Sequence, residues 1–123
     1  MFSEYYFYLI AYMAEGNKDF PTVFRIDRIT DLKGTKQHFS IPYKDRFNEG
    51  EFRKRVQFMY SGELQRITFE FSGPSLEAVL DRLPTAEVIS EKDGVYKIRT
   101  EVYGKGIQMW LRSQEDWIKN IDL

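Results

Sequence analysis

The chain has 123 residues, which suits one domain or two small units sharing an interface. Hydrophobic residues at 42% and aromatics at 16% are enough for a packed core and exclude global disorder, while a net charge of −1 excludes a protein that is basic throughout, so any anion site must be local. There is no cysteine, which removes disulfides and thiolate chemistry and fits a reducing cytoplasm, and no basic segment leads into a long apolar run, so neither a signal peptide nor a membrane span is expected.

Tyr5 to Tyr12 is rich in Tyr, Phe, Leu and Ile and reads as a first strand. Met13 to Thr22 carries Gly16-Asn17 and Pro21, which can turn the chain back. Phe24-Arg25-Ile26-Asp27-Arg28-Ile29 then alternates apolar and charged residues, so Thr22 to Ile29, extended towards Leu32, reads as a second strand. Its alternation sets Phe24, Ile26 and Arg28 on one face and Arg25, Asp27 and Ile29 on the other. The two strands make a hairpin that sets aromatic rings beside arginines. A guanidinium is a planar fork of donors suited to phosphate or carboxylate, and a ring offers a face on which a base can stack. The same pattern also fits a solvated strand face over a packed aromatic core.

Lys33-Gly34-Thr35 reads as a turn, Gln37 to Ile41 as a short extended piece, and Tyr43 to Asn48 as a polar linker. Asn48 is placed to cap a helix over Glu49 to Tyr60, with Glu49 and Glu51 in the first turn and Gly62 at the end. Phe52, Val56, Met59 and Tyr60 supply its apolar spacing. Arg53, Lys54 and Arg55 spread over different faces and read as solvated.

Leu64 to Phe71 alternates, with Ile67, Phe69 and Phe71 on one face and Arg66, Thr68 and Glu70 on the other. Ser72-Gly73-Pro74 reads as a helix start with proline in the first turn, Leu76, Val79, Leu80 and Leu83 as the apolar stripe, and Pro84 as the stop. Ala86 to Glu91 and Val95 to Val102 flank Asp93-Gly94, a hairpin signal. After Gly104 and Gly106, Ile107, Trp110 and Leu111 give a short amphipathic helix. Trp117 to Leu123 alternates again, with Trp117, Ile121 and Leu123 on one face. Trp110 and Trp117 are both expected in the core. Leu64 to Leu123 thus reads β-α-β-β-α-β, the order of a ferredoxin-like unit.

No nucleophile is paired with a base, the carboxylates are scattered without a metal-loop spacing, and Gly104-Lys105-Gly106 lacks the context of a phosphate loop. His38, the single histidine, reads as structural or solvated. No catalytic residue, metal site or cofactor is expected, and the chain is read as a binding protein, not an enzyme.

Phe7-Tyr8-Leu9-Ile10-Ala11-Tyr12, a polar loop, then Phe24-Arg25-Ile26-Asp27-Arg28-Ile29 resembles the WYL domain of bacterial transcriptional regulators, with Phe7 where that family has tryptophan and the FR-x-DRI strand intact. Phe58-Met59-Tyr60-Ser61-Gly62-Glu63 is similar to the segment joining that domain to its C-terminal extension. Val102-Tyr103-Gly104 through Met109-Trp110-Leu111-Arg112-Ser113 resembles the extension's last helix. The resemblance implies an α+β chain in three parts: residues 1–47 as the C-terminal part of a WYL-like SH3/Sm-like β-barrel, here a partial barrel hairpin, residues 48–62 as a linking helix, and residues 63–123 as the ferredoxin-like extension. It implies a ligand-sensing function for a nucleotide or single-stranded oligonucleotide, with Tyr8 stacking or donating its hydroxyl and Arg25 and Arg28 holding phosphate. The family's earlier barrel strands and winged helix-turn-helix precede the run that opens this chain. A C-terminal fragment or truncated reading frame is therefore expected, without promoter-DNA binding of its own. The open barrel edge leads to an expected homodimer or larger oligomer. The competing expectation is a dimerisation or protein-interaction module with no surviving ligand pocket.

Overall fold

The alternation over Leu64–Phe71 sets the larger half of the molecule. In a computed structural model, which describes residues 1–16 and 19–123, Ile67, Phe69 and Phe71 are buried and their neighbours Arg66, Thr68 and Glu70 face away. This strand, β4, follows β1 (Phe2–Ser3), β2 (Tyr6–Ala11), β3 (Thr22–Arg25) and helix α1 (Glu49–Arg55). After it come α2 (Leu76–Arg82), β5 (Glu87–Lys92), β6 (Val95–Tyr103), α3 (Gly106–Ser113) and β7 (Ile118–Asp122). Among the described residues the chain is mixed α+β, with one antiparallel sheet in the order β1-β2-β3 and another in the order β5-β6-β4-β7.

Buried apolar side chains of the larger sheet form one cluster with those of α2 and α3. Ile67, Phe69, Phe71, Ile98 and Val102 come from β4 and β6, Val79 and Leu83 from the α2 stripe, and Ile107, Trp110 and Leu111 from α3. The strand residues share one parity, so both helices cover the same face. The other face carries charge: Arg66 pairs with Glu101 at 3.0 Å and Arg99 with Glu87 at 2.8 Å. Asp93 and Gly94 both have positive φ, 53° and 79°, as the tight hairpin turn between β5 and β6 requires.

Several boundaries differ from the sequence expectation for physical reasons. Ser75 caps α2, its Oγ accepting from the Ala78 N–H at 3.3 Å, so Pro74 lies just outside the helix and not in its first turn. Asn48 caps α1 as expected, its Oδ1 accepting from the Glu51 N–H at 3.0 Å. That helix ends at Arg55, five residues before Tyr60, because Val56 leaves it to bridge Tyr103 of β6. Phe58 and Met59 then take φ of 54° and 57°, and the Tyr60 N–H donates to the Gln57 carbonyl at 3.1 Å to close a left-handed turn. Trp110 is in the core, but Trp117 is 49% exposed. It lies in a 3-10 turn, Glu115–Trp117, and Ile118 opposite Phe71 takes the inward position, so Ile121 and Leu123 are exposed too. Gln37 to Ile41 forms no strand. The anticipated Gly16-Asn17 turn falls partly outside the described residues, since 17 is not among them.

The smaller sheet gains a strand over the anticipated hairpin, because Phe2–Ser3 pairs with Phe7 and Tyr6. β3 is shorter than expected. It ends at Arg25, and Ile26–Arg28 form a 3-10 turn, closed by the Ile29 N–H donating to the Ile26 carbonyl at 3.1 Å. The chain past 62 meets the chain past 103 where only glycine fits. Gly104 has φ of 69°, and a Cβ there would lie 2.6 Å from the Ser61 carbonyl oxygen; one on Gly62 would lie 2.6 Å from the Gly104 Cα. Gly94 also has positive φ but faces open space. Gly94→Ala is therefore expected to cost about 1 kcal/mol from the left-handed backbone alone, and Gly104→Ala clearly more than about 2 kcal/mol, because the added methyl has nowhere to go. Urea unfolding of the two variants beside the native chain checks this.

Candidate functional site

The antiparallel register of the small sheet decides which side chains meet. Tyr8 sits directly opposite Arg25, Leu9 opposite Phe24 and Ile10 opposite Val23. Opposed residues share a face, so Tyr6, Tyr8, Ile10, Val23 and Arg25 lie on one side and Phe2, Phe7, Leu9 and Phe24 on the other. Arg28 does not continue β3. It sits on the 3-10 turn, which corrects the alternating-face assignment but brings it round to the same groove as Arg25.

That groove has a volume of about 790 Å³, within the roughly 300–1,000 Å³ of small-molecule sites, and is open to solvent. Tyr8, Arg25 and Arg28, the three residues singled out from the sequence, all line it. Its far wall is the left-handed turn after α1, with Phe58, Met59, Tyr60 and Ser61. The walls are tied at one end, where the Ser61 hydroxyl donates to the Pro21 carbonyl at 2.5 Å. Phe58 is held in turn by the Arg82 guanidinium, 4.8 Å from the ring centroid. Thr22 also lines the groove, and its Oγ1 is buried without a hydrogen-bond partner among the described residues.

The two arginines are in different states. The Arg25 guanidinium lies over the Tyr6 ring, its Cζ 3.6 Å from the centroid. Its Nε donates to Asp27 Oδ1 at 3.0 Å and its NH2 to Oδ2 at 2.6 Å, a two-pronged pair. Arg28 is exposed and makes no hydrogen bond or ion pair with a described residue. The aromatic partner of Arg25 is thus Tyr6, with Tyr8 across the strand, and Asp27 fills its fork. Neither Tyr6 nor Asp27 was singled out from the sequence. The i, i+2 spacings of Tyr6 with Tyr8 and of Arg25 with Asp27 were the available signals.

The other cations near α1 pair with carboxylates on the helix itself: Arg53 with Glu49 at 3.0 Å, Lys54 with Glu51 at 3.2 Å, and Arg55 with Glu51 at 2.6 Å. Arg53 and Lys54 are exposed, as the solvated reading has it, but Arg55 is half-buried and also reaches Glu101 of β6 at 3.6 Å. His38 is exposed. Among the described residues no group of three His, Asp or Glu side chains could hold a metal ion, and no helix is long and apolar enough to cross a membrane.

Hydrogen bonds from Arg25, and then its charge, hold the Asp27 carboxyl below the usual carboxylate range. A carboxyl depressed in the folded state favours folding above its unfolded pKa, and that contribution is lost as pH falls through the folded value. In a carbon-detected NMR titration the Asp27 midpoint is expected below that of an ordinary aspartate, and Arg25→Ala is expected to raise it towards the ordinary value, the smaller effect of the Arg28 charge remaining. An unchanged midpoint in the variant would show that the pair does not form in solution.

No known protein-family model matches the chain, and no curated protein matches it.

Proposed function

We propose that this chain is the ligand-sensing and oligomerisation region of a WYL-type bacterial transcriptional regulator, and that its groove binds a phosphate-bearing ligand, a nucleotide or a single-stranded oligonucleotide. The observation that carries the reading is the convergence of Tyr8, Arg25 and Arg28 on one open groove, with Arg28 free of any ion pair among the described residues. An exposed guanidinium is a ready phosphate contact, and tyrosines beside it offer faces for bases. The β-α-β-β-α-β order with sheet order β5-β6-β4-β7 supports a ferredoxin-like extension, and the β1-β2-β3 meander supports a partial SH3/Sm-like barrel. On this reading the protein works in the cytoplasm, binds without catalysis, and does not contact promoter DNA by itself.

Arg28→Ala is expected to weaken binding of a fluorescent single-stranded oligonucleotide several-fold without altering the unfolding curve, and added salt is expected to weaken the native chain's binding. Fluorescence anisotropy at two salt concentrations reads both effects. Binding by the native chain that neither the substitution nor salt changes would overturn the phosphate role of Arg28.

A second reading, a protein-interaction module, is favoured by the other face of the small sheet. There Phe2, Phe7, Leu9 and Phe24 are exposed, with Phe2 and Phe7 rings 4.9 Å apart. A contiguous apolar face on a sheet with open edges is a pairing surface. Both readings include a homo-oligomer, expected from the open barrel edge, and this face gives it a further surface. Light scattering at tens of micromolar is expected to give a dimer or larger species for the native chain and a monomer for Phe7→Glu, whose side chain is 63% exposed and tolerates the charge. A monomeric native chain would remove this surface from the proposal.

A further inference from the structure

We infer that Asp27 is a built-in competitor for Arg25: it occupies the Nε/NH2 edge of the Arg25 fork in the free protein, and a phosphate-bearing ligand in the groove must displace it to take that edge. The inference rests on the phosphate-ligand reading above and adds the regulation of that site.

Three observations carry it. First, the contact is the one a phosphate would make. Two carboxylate oxygens meet two donors of one guanidinium, Nε and NH2, at 3.0 and 2.6 Å. A bidentate oxyanion already fills the Nε/NH2 edge of the fork, the edge a bidentate phosphate would take. Second, the pair is local. Arg25 and Asp27 are two residues apart in the chain, so their contact closes no long loop and ties no distant part of the fold. Third, Arg25 has a second support besides Asp27. Its guanidinium lies over Tyr6, 3.6 Å from the ring centroid. Releasing Asp27 therefore leaves an arginine still held by Tyr6, and Arg25 and Arg28 both line the groove.

The arrangement sets a threshold. Asp27 is tethered two residues away and competes at a high local concentration, so a weakly charged or singly placed anion gains little by replacing it. A phosphate that reaches Arg28 as well gains a second cation, one that Asp27 leaves without an ion pair. The latch thus favours ligands whose phosphate spans both arginines over small carboxylates.

Removing Asp27 also removes a negative charge, which favours any anion through the general field. Asp31 provides the control, because it lines the same groove and has no ion pair with Arg25. Binding of a fluorescein-labelled single-stranded oligodeoxynucleotide is measured for the native chain, Asp27→Asn, Asp31→Asn, Arg25→Ala and the Arg25→Ala/Asp27→Asn double variant. The latch predicts that Asp27→Asn binds roughly 2- to 5-fold tighter than the native chain, the scale of one exposed ion pair, and tighter than Asp31→Asn. It also predicts that the gain vanishes in the Arg25→Ala background and that saturating ligand raises the titration midpoint of the native Asp27 carboxyl. Equal gains from Asp27→Asn and Asp31→Asn would overturn the latch in favour of a plain charge effect and leave the phosphate reading standing. Weaker binding by Asp27→Asn would overturn it in favour of a residue that positions Arg25. Should neither the native chain nor Asp27→Asn bind the oligonucleotide, inorganic phosphate or a nucleoside monophosphate, the phosphate reading itself falls, and the latch with it.

Discussion

The groove depends on a backbone crossing that leaves no room for side chains. Where the chain leaves α1 it must pass the end of β6, and it does so with Gly62 and Gly104 nearly in contact and the Gly104 N–H donating to the Glu63 carbonyl at 3.0 Å. The Gln65 side-chain amide donates to the Gly104 carbonyl from the same place. With that crossing fixed, Val56 can bridge Tyr103, and the few residues left between them have to turn back sharply. The result is the left-handed turn at Phe58 and Met59, two side-chain-bearing residues in a conformation that costs about 1–2 kcal/mol each. Burial of Val56 and Gln57 and the Arg82–Phe58 contact offset that cost. The strained turn is the far wall of the groove, so the wall is held by the larger sheet while the arginines belong to the smaller one.

The two halves are unequal in burial, and the inequality bears on the proposed ligand sensing. The contiguous buried core lies wholly between β4 and β7 in the chain, in the four-stranded sheet and its two helices. The three-stranded sheet contributes nothing to it and shows one apolar face to solvent. Small sheets of short strands hold together weakly unless they pack on something. Here the polar ties to the rest of the chain include Ser61 to Pro21 and Arg53 NH2 to the Phe2 carbonyl at 2.9 Å. Low local stability beside a rigid support is where ligand-dependent motion is expected, because small free energies then decide the position of an element. A ligand touching both walls, or a second copy covering Phe7 and Leu9, would each order the same three strands.

The sequence was legible where local periodicity and tertiary packing ask for the same structure. β4 matches residue for residue, the α2 stripe points at the core, and Asp93-Gly94 makes its turn, because each pattern is satisfied by its own neighbours. The misses occur where a distant contact overrides a local preference. α1 stops short because Tyr103 claims Val56, and Trp117 turns out because Ile118 pairs opposite Phe71. At the site, the alternation of residues 24–29 pointed to two arginines that do line one groove, but to another geometry. A strict strand would have set Arg25 and Arg28 on opposite faces, whereas the turn at Ile26–Arg28 gathers both at one groove.

That turn also explains why the site carries its own counter-ion. Once the chain curls after Arg25, a carboxylate two residues on is within reach of the guanidinium without any ordering of distant parts, and Asp27 takes the place. Its proximity is covalent, so its hold on Arg25 does not wait for the two walls to assemble. Arg28, one residue further, is left without such a partner. The local chain geometry thus divides two like charges into one that is satisfied internally and one that is open. On the proposed reading, such a site favours a bridging phosphate only when the ligand reaches both arginines at once.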